Sequence, residues 1–87
     1  MSSSVIRILF FASLRDAVGV SECAVSVDEP LSFERLMAEL RNELSVPAYE
    51  AICAEHVRVA INQELVDAVG SISPGDEVAF LPPVTGG

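Results

Sequence analysis

The segment "DEPLSFERLMAELRNELSVP" constrains the fold of this chain more than any other stretch. Phe33, Leu36, Met37, Leu40 and Leu44 recur at i, i+3, i+4, i+7 and i+11, with Glu34, Arg35, Glu39, Arg41 and Glu43 in between. That spacing draws one apolar stripe along a helix and leaves the opposite side to water. Ser32 is the expected N-cap, Leu31 the expected staple against Leu36, and Pro47 the expected stop downstream. A single stripe must be buried against something, so the remaining residues have to supply a covering surface.

They do so with strands. "VIRILFF" (residues 5–11) is β-branched and aromatic, apolar on both faces except at Arg7, and reads as a strand well inside a sheet. "ASLRDAVGV" then turns the chain, with Gly19 the position expected to need positive φ. "ECAVSVD" (residues 22–28) alternates, with Cys23, Val25 and Val27 on one face, and is the return strand of a hairpin with a long connection. After a short helical turn around "AYEAICAE", "VRVAINQELV" points Val57, Val59 and Ile61 inward and Arg58 and Asn62 outward, and turns at Asn62-Gln63 into Leu65-Val66. "SPGDEVAFLPP" adds a Pro74-Gly75 turn and a last strand, Glu77 to Leu81, stopped by Pro82 and Pro83, which lack the N–H a ladder needs. The expected architecture is an α+β roll: a mixed sheet of four or five strands with one main helix packed on one face.

With 87 residues there is room for one domain, expected over residues 1–81, followed by an extended tail over 82–87. The net charge is −8 and all five basic residues are scattered arginines, so no basic stripe exists for nucleic acid or an anionic membrane. Two widely spaced cysteines, Cys23 and Cys53, and an apolar start interrupted by Arg7 point to a reducing cytoplasm rather than to a secreted disulfide scaffold. His56 is the single histidine, and a lone histidine at the start of a strand reads as solvated surface. Nothing has metal-ligand spacing, and no glycine-rich loop opens a helix. If the chain takes part in chemistry, it does so without an active site of its own.

The ending "PPVTGG" offers one way. Pro82 and Pro83 are stiff and extended, Val84 and Thr85 are β-branched, and Gly86 and Gly87 carry no side chain. Six extended residues reach at most about 20 Å, enough to carry a terminal carboxylate into a narrow channel of another protein. The alternative is that Pro-Pro merely stops the last strand and the glycines fray.

"RILFFASLRDAVG", "VAINQELV" and "GDEVAFLPPVTGG" together resemble the small subunit of molybdopterin synthase, the sulfur carriers of the MoaD family. The resemblance runs from about Arg7 to Gly87 and is most specific at its end; the "MSSS" extension and the "SFERLMAELRNELSVPAYEAICAEH" stretch carry no family motif. It implies a ubiquitin-like β-grasp fold and a reaction at the C-terminus. An E1-like (MoeB-like) adenylyltransferase would use ATP to adenylate the Gly87 carboxylate, sulfur from a desulfurase system would replace AMP, and the resulting thiocarboxylate would enter the large (MoaE-like) subunit of a heterotetramer. There it would give sulfur to cyclic pyranopterin monophosphate in molybdenum cofactor biosynthesis. The carrier itself binds no cofactor in this scheme. Pro82, Pro83, Val84, Thr85 and Gly86 would form the inserted tail, and Phe11, Leu65 and Leu81, with Arg15 nearby, the partner face. Phe11 and Leu65 also fit a core; alternation sets Leu81 opposite Val78 and Phe80. Still open are a carrier for thiamine synthesis or tRNA thiolation, a ubiquitin-like modifier of other proteins, and an interaction module with an unreactive tail.

Overall fold

The computed structural model describes residues 4–83. Within them the chain runs β1 (Val5–Phe10), α1 (Ala12–Val18), β2 (Glu22–Ser26), α2 (Phe33–Glu43), α3 (Val46–Ile52), β3 (Arg58–Ile61), β4 (Glu64–Val66) and β5 (Glu77–Leu81). The strands form one sheet in the order β2-β1-β5-β3-β4. β1 and β5 lie parallel at its centre, and every other pairing is antiparallel.

The helices cover a single face. Ile6, Ile8 and Phe10 of β1, Val25 of β2 and Val78 and Phe80 of β5 point into one core, met by Leu14 of α1, Leu36 and Leu40 of α2 and Ile52 of α3. Phe10 and Phe80 stack at 6.1 Å between ring centroids, and Phe33 tilts onto Phe80 at 6.4 Å. Full burial of one such side chain is worth roughly 1.5–3 kcal/mol, so this cluster is the main source of stability in a domain this small. The Ser32 hydroxyl accepts from the Arg35 N–H at 3.1 Å, which fixes the start of α2 where the sequence put it.

Both tight turns match their sequence signals. Asn62 and Gln63 take φ of 51° and 72°, the paired positive values of a two-residue type I′ turn. Gly75 has φ 94°, and the Asp76 N–H donates to the Ser73 carbonyl at 3.0 Å, as in a type II turn with Pro74 at its second position. Asn62 joins these turns: its Oδ1 accepts from the Glu77 N–H at 2.9 Å and its Nδ2 donates to Asp76 at 3.2 Å.

Three local expectations are corrected. "ASLRDAV" is the helix α1, which buries Leu14 and ends at Gly19 with φ 95° and its N–H on the Arg15 carbonyl. Phe11 belongs to neither strand nor core; it is the extended residue before α1, and β1 ends at Phe10. Pro47 does not stop α2, which ends at Glu43; Ser45 caps α3 and Pro47 sits in its first turn, where a missing N–H costs nothing. Leu31, expected as a staple, is partly buried against the core cluster that contains Leu36, and its backbone is also fixed by a β-bridge to Ile72, with N–H···O distances of 2.9 and 2.8 Å in the two directions.

Candidate functional site

The opposite face of the sheet carries no helix, and its pattern is set by alternation along each strand. At the end where β1 and β2 begin and end, Arg7 lies between Glu22 at 3.6 Å and Glu77 at 3.5 Å. Two residues further along β1 the character changes. Leu9 pairs with Ala79, Ala79 with Ala60, and Ala60 with Leu65, so one row of apolar side chains crosses β1, β5, β3 and β4. Side chains directly opposite one another share a face, and uncovered sheet faces are ordinarily polar. Leu-Ala-Ala-Leu is therefore a departure that asks for an explanation.

The next row lies beside the tail. Leu81 pairs with Arg58, and the Phe11 N–H donates to the Phe80 carbonyl at 3.2 Å, which brings Phe11 next to Leu81. Ala12 turns the backbone through a positive φ of 51°, a conformation costing a non-glycine residue roughly 1–2 kcal/mol, and so leaves the Phe11 ring outside the core. Arg15 follows on α1, exposed, with its N–H 3.4 Å from the Phe11 carbonyl. Phe11 is 45% exposed and Leu65 52%, unusually open for side chains of that size, while Leu81 is half-buried. Phe11, Leu65 and Leu81, expected from sequence on a partner face, thus lie on, or at the end of, the uncovered side, while Arg15 is exposed on α1. Leu9, Ala60 and Ala79 belong with them and were missed, although the alternation through "RILFF" and "EVAFL" carries the signal.

The tail leaves from this corner. Pro82, half-buried, and Pro83, exposed, follow Leu81 directly. Val84, Thr85, Gly86 and Gly87, which include the expected reactive carboxyl, lie outside the described residues.

Charge is unevenly shared between the faces. Glu34, Glu39 and Glu43 lie on α2 and Glu50 on α3, on the helical side. Near the tail the uncovered side has Arg58, paired with Leu81, and among the described residues Arg7 is the one arginine engaged in an ion pair. His56 is solvent-exposed with its Nε2 3.9 Å from Glu55, as expected of a surface residue. Burial, and then the charges of Glu43 and Glu22, push the Cys23 thiol above its ordinary pKa, whereas Cys53 is exposed on the helical side. The hydrogen bond to Cys53, and then burial, raise the Tyr49 hydroxyl. Among the described residues no group of three or more His, Cys, Asp and Glu side chains is arranged to hold a metal ion, and no helix is long and apolar enough to cross a membrane.

A five-stranded mixed sheet with parallel central strands and helices on one face defines a ubiquitin-like β-grasp domain. The chain belongs to the ThiS family, whose profile matches residues 8–87. The molybdopterin synthase sulfur carrier subunit of Escherichia coli is 38% identical over 85 residues, covering 94% of this chain and 99% of that one. Among solved structures, SAMP1 from Haloferax volcanii superposes with a TM-score of 0.76 at 27% identity, covering 95% of this chain and 99% of that one. Subunit 1 or 2 in the complex of the Helicobacter pylori molybdopterin-converting factor matches with a TM-score of 0.67 at 21% identity, over 95% and 99% of the two chains, a likeness of fold.

Proposed function

We propose that this chain is the sulfur-carrying small subunit of a molybdopterin synthase. The single observation that carries the reading from fold to function is the apolar row Leu9-Ala79-Ala60-Leu65, uncovered and continuous with Leu81, Phe11 and the start of the tail. A protein that works alone gains nothing from such a face; one that must dock its body while its terminus enters another protein needs it. The relative in Escherichia coli is named a sulfur carrier subunit, which supports both the cargo and the existence of a second subunit.

The chemistry proceeds at Gly87. A carboxylate resists substitution until one oxygen becomes a good leaving group. An E1-like adenylyltransferase joins the Gly87 oxygen to the α-phosphorus of ATP and releases pyrophosphate; a persulfide sulfur from a desulfurase attacks the acyl carbon, AMP leaves, and reduction of the sulfur–sulfur bond frees the thiocarboxylate. That group is ionised at neutral pH and needs no base from the carrier. Seated in the large subunit, its sulfur attacks the pyranopterin precursor, and water then restores the Gly87 carboxylate. Two carriers supply the two sulfurs of the dithiolene. Residues 1–81 act as the body, and Pro82 to Gly87 as the inserted tail. These steps place the protein in the cytoplasm, where ATP and reducing thiols are available.

A second reading comes from the likeness to SAMP1, a small archaeal modifier protein, in which the terminal carboxyl would be joined to lysines of other proteins. This chain has no lysine and cannot form lysine-linked chains with itself. Intact mass separates the readings: sulfur replacing oxygen at Gly87 in the carrier, a covalent protein adduct in the modifier. Deleting Gly87 abolishes sulfur loading and leaves thermal unfolding unchanged, because truncation beyond the last strand breaks no ladder. A truncated chain that restores molybdopterin synthesis in cells lacking the small subunit refutes the proposal.

A further inference from the structure

The helices leave part of the inner face of the sheet open. Phe33 and Met37 of α2, Tyr49 of α3, Val57 just before β3 and Val59 on it all pack against the core cluster, yet each is only half-buried. With Phe80 beneath them they line a groove of about 510 Å³ bounded by α2 and α3. Val59 lies opposite Phe80 and Arg58 opposite Leu81, so Val57, one residue further out, stands beside the root of the tail. The groove therefore opens on the helical side of that root, away from the face that Leu81 and Arg58 share. Its interior is apolar and its edge acidic. The Tyr49 hydroxyl and the Cys53 thiol, both in the lining, are hydrogen-bonded to each other, which leaves little to orient a small polar ligand. Glu34 stands at the mouth, Glu50 lies three residues before Cys53 on the same side of α3, and Glu55 follows Ala54; against these three exposed carboxylates stands Arg41, one turn beyond Met37.

An apolar groove between two helices with an acidic rim matches the apolar face of an amphipathic helix bordered by lysine or arginine. We propose that this groove docks a basic amphipathic helix of the protein that delivers sulfur to Gly87. The inference rests on the function proposed above and adds a second docking surface to it. Sulfur has to reach Gly87 while the adenylate is still held by the activating enzyme, because an acyl adenylate set free is hydrolysed. Two proteins therefore meet one carrier at that step. The uncovered sheet face serves the one that holds the tail. The groove lies on the other flank of the same root, and residues 82–87 reach about 20 Å from it, so a protein seated there stays within range of Gly87 without displacing the first. The chain's own tail is a poor occupant: Pro82 and Pro83 are stiff, so a return begins only at Val84, spans about 13 Å and brings a carboxylate toward Glu34. A second copy is also poor, since it would set acidic rim on acidic rim between two bodies each of net charge −8.

Met37→Lys and, separately, Glu34→Lys test this. The first brings a charge to the apolar lining; the second reverses the charge of the mouth from an exposed position in the first turn of α2 and decides the question if thermal unfolding shows that Met37→Lys does not fold. Each purified variant is incubated with the same organism's adenylating enzyme, ATP, cysteine desulfurase and cysteine. Pyrophosphate release reports adenylation, and intact mass reports the thiocarboxylate. Adenylation is expected to stay within about threefold of wild type, while sulfur loading at limiting desulfurase slows about tenfold or more. Sodium sulfide in place of the desulfurase restores wild-type loading, because hydrosulfide attacks the acyl carbon and expels AMP without docking. Both variants loading from the desulfurase at the wild-type rate overturns the groove and leaves the carrier function standing. A defect that persists with sulfide, or an equal fall in adenylation, places the fault at the activating enzyme and overturns the inference. Wild type that is adenylated and takes sulfur from sulfide but none from the desulfurase overturns it as well. A wild-type dimer that Met37→Lys dissolves assigns the groove to a second copy, with the same result. Wild type that is not adenylated at all overturns the function and the inference together.

Discussion

Replacing Leu65 with glutamate separates the docking face from the core in one experiment. Leu65 is 52% exposed on the edge strand β4, so only about half of its side chain contributes to folding. Half of the roughly 1.5–3 kcal/mol of full leucine burial is at stake, offset in part because the long methylene stem of glutamate still covers Ala60. The folding loss is therefore about 1 kcal/mol, which for a domain of this size lowers Tm by about 4–8 °C. Binding suffers more. Docking would bury the other half of Leu65, worth about 1 kcal/mol, and would now desolvate an unpaired carboxylate at a further cost of about 1–3 kcal/mol. The sum, about 2–4 kcal/mol, is a loss of about 30- to 1,000-fold in affinity. Differential scanning calorimetry and isothermal titration against the large subunit read the two quantities on the same preparation. A collapse of Tm with unchanged affinity would refute the reasoning, since Leu65 would then be core and the partner would bind elsewhere.

Phe80→Ala removes the ring that Phe10 and Phe33 pack on and should cost about 3–5 kcal/mol, visible as a urea midpoint shifted far enough to populate the unfolded state at 37 °C. Ser32→Ala deletes the cap on the Arg35 N–H and should cost about 1 kcal/mol by the same urea titration, with Ser32→Gly closer to wild type. Iodoacetamide at neutral pH should alkylate the exposed Cys53 well before the half-buried Cys23, as followed by peptide mass spectrometry. Because burial raises the folded Cys23 pKa above the ordinary thiol value, its contribution to stability is complete below that ordinary value and is lost as pH rises through the higher folded pKa. Cys23→Ala should flatten the fall in stability on the alkaline side.

What could be read from sequence follows the strength of the local signals. The stripe from Phe33 to Leu44 has five apolar positions in phase, and the cap at Ser32 and the turns at Asn62-Gln63 and Pro74-Gly75 are each fixed by backbone chemistry within a few residues. The helix α1 escaped because seven residues make under two turns, too few to hold a helix alone, and only Leu14 and Val18 face inward; its existence depends on packing against α3 and the sheet end. Pro47 was misread because proline marks the first turn of a helix as readily as the end of the one before it. On the candidate face, alternation set Leu81 outward, while Leu65 came from the resemblance and also fitted a core. Ala60 and Ala79 were passed over because small residues do not stand out, although alternation puts Ala79 on the face of Leu81, and only the pairing register shows that the two alanines meet.

That register also bears on why a carrier would keep thiols away from its tail. Where the tail begins, Leu81 lies beside Arg58 on β3 and next to Phe11. Cys53 and the paired Tyr49 lie on the helical side, and Cys23 is half-buried on the inner face of β2 at the other end of the sheet order. A thiol within reach of an activated Gly87 would attack the acyl carbon and capture the tail before a partner could use it, because holding nucleophile and acyl group on one body raises their effective concentration by orders of magnitude. Arginine does not compete, as its guanidinium stays protonated. Its positive charge instead favours an anionic terminus and an acidic partner rim. The expectation is that moving a thiol to this corner, as in Arg58→Cys, leaves Tm nearly unchanged and docking only modestly weaker. Incubated with the adenylating enzyme and ATP, however, the variant should accumulate a species lighter than the free acid by one water, an internal thioester cleaved by hydroxylamine. Normal thiocarboxylate yield with no such species would mean that the tail does not return to the face it leaves from, and that its separation from the thiols serves no protective end.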